Sequence, residues 1–196
     1  MAKKQDVNME VWKCTNPSKQ GSQSQMFPTR FLRNVERVYP TKDKRVLWMF
    51  SGSMKGDKNN VTTDIREETG ADYICPYDEL PFKENSFDIV IADPPYNKLF
   101  AKEWKADLPK PKRIIREALK VLKPNGILLL LHIIVTPTYQ NSLKDSVGNN
   151  FRRVGLHPVL CGLNNAIRVL NVYQKSDVQL IAKSKTQGAT PSLNMG

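Results

Sequence analysis

The run Asp93-Pro94-Pro95-Tyr96 carries the densest chemistry in the 196-residue chain. Two consecutive prolines have no backbone N–H to give to a ladder and fixed φ angles, so the chain must turn there. The turn keeps the Pro94 carbonyl out of any helix or ladder and sets it beside the Asp93 carboxylate. Two acceptors aimed at one spot suit an exocyclic NH2 group, which offers two donor hydrogens. Accepting both hydrogens moves the nitrogen toward a tetrahedral shape and exposes its lone pair. Tyr96 adds a flat face on which an aromatic base can stack. The competing reading is a proline-rich turn after a buried strand, with Asp93 as a turn acceptor.

Other polar clusters fall at the ends of apolar runs in the same way. Residues 45–50 read as a buried strand running into Ser51-Gly52-Ser53. Residues 60–65 read as a second strand that carries Asp64 near its end, and residues 72–75 as a third, followed by Tyr77-Asp78. The segment 87–92 is apolar enough for a central strand and delivers the chain to Asp93. Residues 26–39 place Phe27, Phe31, Leu32, Val35 and Val38 at helical spacing, ended by Pro40. Residues 109–122 form a second amphipathic pattern, stopped by Pro124-Asn125-Gly126, and residues 127–135 are an all-apolar strand. A weaker helix is expected over 141–152, then a hairpin of 155–161 with 166–173. Strands that are continuously apolar and alternate with helices predict an α/β fold on a mostly parallel sheet with a C-terminal antiparallel hairpin. Ligands of such sheets bind at the carboxyl ends of the strands, where all four polar clusters fall. Residues 1–25 read as a basic flexible arm and residues 176–196, rich in Ser, Thr, Lys and Gly, as a disordered tail.

Thirty Lys and Arg against nineteen Asp and Glu give a net charge of +11. That excludes an acidic solvating protein and points to a polyanionic partner, nucleic acid first; the alternative is charge that only keeps the chain soluble. Residues 98–123 hold nine Lys/Arg against three acids, including Lys98, Lys110, Lys112 and Arg113. Arg116 and Lys120 read as a solvated helix face, and Arg30, Arg33 and Arg37 as one basic face of the first helix. Three separated cysteines without a CxxC support neither a disulfide framework nor a zinc finger, and two histidines are too few for a His-rich metal site. The start lacks the apolar core of a signal peptide, so a cytoplasmic location is expected.

The stretch 80–96, LPFKENSFDIVIADPPY, resembles the class I S-adenosylmethionine-dependent methyltransferases, specifically the DPPY-type amino-methyltransferases of nucleic acids. Residues 117–127, EALKVLKPNGI, are similar to the family's helix and turn before its fifth strand. Residues 26–32, MFPTRFL, resemble the helix that closes over the cofactor in DNA amino-methyltransferases. The resemblance spans residues 26–175 and implies one Rossmann-like domain. It also implies that Asp93, Pro94, Pro95 and Tyr96 hold and stack the target base, and that Phe50, Ser51 and Gly52 line the methionine end of S-adenosylmethionine. Asp64 would accept the ribose hydroxyls, as its strand-end position and spacing favour; the competing role is a helix N-cap ahead of Arg66-Glu67-Glu68. Pro76 stands where the family has an acidic residue for the adenine amine; Asp78 is the substitute.

One departure concerns the link after Ser53. The family has a full helix between its first two strands; here about eight residues remain, and Met54-Lys55-Gly56-Asp57-Lys58 has no helical pattern. The implied activity is adenine-N6 methylation of DNA. The alternatives are an RNA base amino-methyltransferase and a nucleic-acid-binding protein with a degenerate cofactor site. Lys98, Trp104, Lys110, Lys112 and Arg113 are the expected nucleic-acid contacts, with packing against the sheet as the competing role for Trp104. Because the fold consumes most of the chain, target choice is expected to be loose, or to come from a specificity partner or a homodimer.

Overall fold

In the computed structural model the described residues are 7–14, 27–28, 30–103, 107–136, 151–161 and 166–177. Eight strands form one sheet: β1 (Trp12–Cys14), β2 (Val46–Met49), β3 (Asn60–Asp64), β4 (Tyr73–Ile74), β5 (Phe87–Ala92), β6 (Leu122–His132), β7 (Phe151–Cys161) and β8 (Ala166–Lys175). Among the described residues three α-helices, α1 (Phe31–Val38), α2 (Lys98–Glu103) and α3 (Pro111–Val121), and one 3-10 turn (Glu67–Thr69) accompany them. The strand order is β1-β7-β8-β6-β5-β2-β3-β4. The block β4-β3-β2-β5-β6 is parallel throughout, and β8 lies antiparallel between β6 and β7. This is the expected Rossmann-like α/β sheet with its C-terminal antiparallel hairpin.

Why these strands are central follows from their composition. Leu47, Met49, Val90, Ala92, Leu128 and Leu130 point to one face and pack with Ile114, Ile115, Ala118 and Leu119 of α3. Val46, Trp48, Ile89, Ile91, Leu129 and Leu131 point to the other and meet Phe31 and Val35 of α1. Alternate side chains therefore serve opposite cores, which requires apolar residues at every position and produces the unbroken runs read from sequence. Pro111 starts α3 at a position where a missing N–H costs nothing.

Several expectations change. The segment taken as a flexible arm contributes an edge strand, with Trp12 paired to Val159 and Cys14 to Cys161. Trp12 is 1% exposed and stacks on His157 at 4.8 Å, so burial of one indole anchors this strand. Strand β6 begins at Leu122 rather than at residue 127, with a register shift opposite residues 87–89 that absorbs the Pro124-Asn125-Gly126 turn. Of the helix expected over 141–152, Phe151 and Arg152 instead open β7, paired to Lys175 and Gln174; residues 141–150 lie outside the described residues, as do 178–196 of the expected tail. Arg30 precedes α1 with φ 72°, so it does not share that helix's basic face, and Arg37 is bonded to Glu10.

The link between β2 and β3 is as short as expected. Residues 50–59 contain no helix; the Ser51 N–H reaches Thr63 O at 3.0 Å and the Met54 N–H reaches Ser51 O at 3.1 Å. Met54 packs against the core that holds Trp48, on the α1 side of the sheet. Among the described residues no helix is long and apolar enough to cross a membrane.

Candidate active site

Strand β2 has β3 on one side and β5 on the other, so the chain order reverses at β2. A crevice opens at the carboxyl ends of strands at such a reversal, because the connections leave in opposite directions. Here it is a cleft of about 460 Å³, lined by Phe50, Asp64, Arg66, Tyr77, Asp78 and Pro95, among others. That volume lies in the range of small-molecule sites. Phe50 belongs to the tight turn after β2, where it has φ 59° and Gly52 φ 53°; Ser51 and Gly52 themselves do not line the cleft. A glycine accepts that left-handed conformation without a Cβ clash, whereas Phe50 holds it at a cost of ~1 kcal/mol or more. The Phe50 ring stands 5.6 Å from that of Tyr77, giving the cleft an aromatic wall.

Asp64 sits at the end of β3 and is 7% exposed. Its Oδ2 accepts the Gly52 N–H at 2.9 Å, tying the β2 turn to β3. Its Oδ1 accepts the Arg66 N–H and Nε–H, both at 3.0 Å, and the Arg66 Nη2 lies 3.3 Å from Oδ2. The Asp64 carboxylate lines the cleft and also accepts the Arg66 N–H, anchoring the turn that leads into residues 67–69, although Arg66 rather than Asp64 occupies the cap position there. Asp78 lines the same cleft and accepts from Arg113 Nη1 at 2.7 Å. The arginine expected on nucleic acid is thus bonded to the aspartate expected on the adenine amine.

Asp93, Pro94, Pro95 and Tyr96 follow β5 directly, and the first three are buried. Pro95 belongs to the cleft wall, which joins the turn to the cleft. The Asp93 carboxylate is 5% exposed, accepts the Tyr96 hydroxyl through Oδ1, and has Arg168 Nη1 3.5 Å from Oδ2. Burial pushes this carboxyl up to about 8, against the opposing pull of the Arg168 guanidinium. Arg168 also lies over the Tyr96 ring, 5.0 Å from its centroid, and His132 meets the ring edge at 5.4 Å. Burial lowers the His132 pKa, so this neighbour is a neutral imidazole.

The expected site residues therefore divide. Phe50, Asp64, Asp78 and Pro95 share one cleft; Asp93 and Tyr96, bonded to each other on either side of the two prolines, do not line it. Ser51 is 1% exposed and its Oγ has no hydrogen-bond partner. An orphaned buried hydroxyl at the β2 turn, an aromatic wall and a carboxylate at the next strand end fit an adenosine bearing an amino acid. Lys98, Lys110 and Lys112 are exposed on the α2–α3 side, and the Lys110 N–H donates to the Tyr77 hydroxyl at 3.2 Å. Trp104 lies outside the described residues. Sequence reasoning missed Arg66 and Arg168. The signal for Arg168 was a lone cation inside the apolar run 166–173, which nothing local requires.

Comparison with known proteins agrees with this geometry. A family model described as a methyltransferase domain matches residues 71–184, more than half of the chain. No curated protein matches. Among solved structures, a chain of the complex of the Haloferax volcanii Trm112 methyltransferase activator aligns with a TM-score of 0.52 at 13% identity, covering 74% of this chain and 88% of that one. The Burkholderia thailandensis 1,6-didemethyltoxoflavin-N1-methyltransferase aligns with a TM-score of 0.45 at 13% identity, covering 68% and 72%. With the domain matched across β4 to β8 and a nucleoside-sized cleft where the strand order reverses, the chain belongs to the methyltransferase-domain family and is an S-adenosylmethionine-dependent methyltransferase.

Proposed function

We propose that this methyltransferase acts on the exocyclic amino group of a nucleic-acid base, adenine N6 in DNA. The observation that carries the reading is the Asp93-Pro94-Pro95-Tyr96 turn, which sets a buried carboxylate beside the cofactor cleft. S-adenosylmethionine supplies an electrophilic methyl group on its sulfonium. Phe50, Ser51 and Gly52 would line its methionine end and Asp64 its ribose, with Asp78 beside the adenine once Arg113 yields. Asp93 and the Pro94 carbonyl accept the two N–H bonds of the acceptor amine, and Tyr96 stacks on the base. Positioning and dipolar stabilisation carry the rate, since an amine proton becomes acidic only as the new C–N bond forms. A base in duplex DNA must leave the stack to reach so deep a carboxylate. Lys98, Lys110 and Lys112 would hold phosphates, giving affinity and salt dependence rather than sequence choice.

Methyl transfer from labelled cofactor to DNA and to RNA, followed by nucleoside analysis, tests the reading. Label in N6-methyladenine of DNA is expected. Label in an RNA base moves the substrate but keeps the site, and no label in either overturns the nucleic-acid reading. Asp93→Ala should abolish transfer while S-adenosylhomocysteine still binds; transfer that persists removes Asp93 from the site.

A further inference from the structure

Asp93 has lost its water. It follows Ile91 and Ala92, both fully buried, and is itself only 5% exposed. A carboxylate in that position tends to take up a proton, which turns an acceptor into a donor. To accept an amine N–H it needs a compensating charge that does not consume its lone pairs.

We propose that Arg168 is the positioning residue of the acceptor site, offsetting the desolvation of the Asp93 carboxylate and holding the Tyr96 ring at its side. The functional half of this assignment rests on the amino-methyltransferase reading; the electrostatic half does not.

Three observations support it. First, the Arg168 Nη1 to Asp93 Oδ2 separation is 3.5 Å, too long for a good hydrogen bond yet close enough for strong charge interaction. The cation stabilises the carboxylate while Oδ2 keeps lone pairs for an incoming amine. Second, Oδ1 is taken by the Tyr96 hydroxyl, and the guanidinium lies over that same ring at 5.0 Å. One planar cation therefore fixes both the carboxylate and the ring, which a lysine could do only for the charge. Third, the other titratable groups around Asp93 among the described residues are neutral. His132 on β6 is an uncharged imidazole, and on β7 the Cys161 thiol, whose pKa burial raises, stays protonated. Cys14 on β1 is likewise a buried thiol; Arg30 ahead of α1 acts on that thiol. Among the described residues the cation facing Asp93 is Arg168, carried by β8 and 24% exposed at its side chain.

The assignment is tested on the full chain with Arg168→Met and Arg168→Lys. Carboxyl ¹³C NMR should show the Asp93 titration moving up by about one pH unit or more in the Met variant, with the Lys variant between it and the parent. Methyl transfer should follow, with the Met variant losing about tenfold more activity at pH 7 than at pH 9. An Asp93 titration that stays in place, or equal losses at both pH values, overturns the proposal. If the Met variant does not fold, the Lys variant decides by the same measurements, a partial shift being expected and no shift refuting. Should the parent methylate neither DNA nor RNA, the substrate reading fails while the NMR titration still decides the role of Arg168.

Discussion

Replacing Asp64 by Asn gives the sharpest check on how the cofactor is held. The carboxylate receives the Gly52 N–H at 2.9 Å, the Arg66 N–H and Nε–H at 3.0 Å each, and the Arg66 Nη2 at 3.3 Å. A ribose diol docking here must compete with the Arg66 side chain, which is 20% exposed. Hydrogen bonds to a charged group contribute ~1.5–3 kcal/mol each. Two ribose bonds, less the displaced Arg66 fork counted as one such bond because its second arm is long at 3.3 Å, leave a net of ~1.5–3 kcal/mol that depends on the charge. Asp64→Asn should therefore weaken S-adenosylhomocysteine roughly 10- to 100-fold in calorimetry. One Asn oxygen can still accept the buried Gly52 N–H, so the loss of stability should stay near ~1–2 kcal/mol in urea denaturation, against ~3–5 kcal/mol for Asp64→Ala. Arg66→Met should tighten binding if Arg66 is only a competitor. A folded Asn variant that binds within twofold of the parent would refute the ribose role and leave Asp64 as the anchor of its turn.

Two further outcomes concern stability. His157 accepts the Glu10 N–H on Nδ1 at 3.3 Å and meets the Tyr39 hydroxyl through Nε2 at 2.7 Å, so protonating Nδ1 sets a donor against a donor. Burial lowers the pKa of both His157 and His132; the unfolded chain then binds more protons below about pH 6.5, and stability present above that pH should fall as the medium is acidified. Urea midpoints at pH 7.5 and 5.5 would show this, with a smaller difference in His157→Gln. Leu129→Ala, at a fully buried position of the central strand β6, should cost ~2–5 kcal/mol through lost contacts and a residual cavity. A smaller cost would mean that the core around Phe31 and Trp48 closes over the gap.

Much of the frame was legible in the residues themselves. Strands buried on both faces must be apolar at every position, so β2, β5 and β6 stand out as continuous runs, and the paired prolines end β5 by removing two ladder donors. The missing helix after Gly52 could be read from the link's length, since about eight residues cannot hold a helical crossover. The turn after β5 and the acids near the ends of β3 and β4 needed only the rule that parallel sheets bind at their carboxyl edge. Trp12–Cys14 was hidden because three residues make no periodic pattern, and their place is decided by the β7 edge they pair with. The strand at Phe151 was hidden for a similar reason: β7 is only half-buried, and its pattern competes with a helical one.

What tertiary structure alone decided is how the charges are spent. Composition yields a basic chain with acids at three strand ends, and by itself says nothing of which acid meets which cation. Strand order brings β8 beside β6 and β7, so Arg168 reaches Asp93 from far along the chain, and the α3 start brings Arg113 to Asp78. Such pairs depend on distances of a few ångströms set by packing, to which sequence spacing is blind. The residue types and the turn determine that a carboxylate lies at the end of β5; the folded sheet determines the burial and the cation that set its charge.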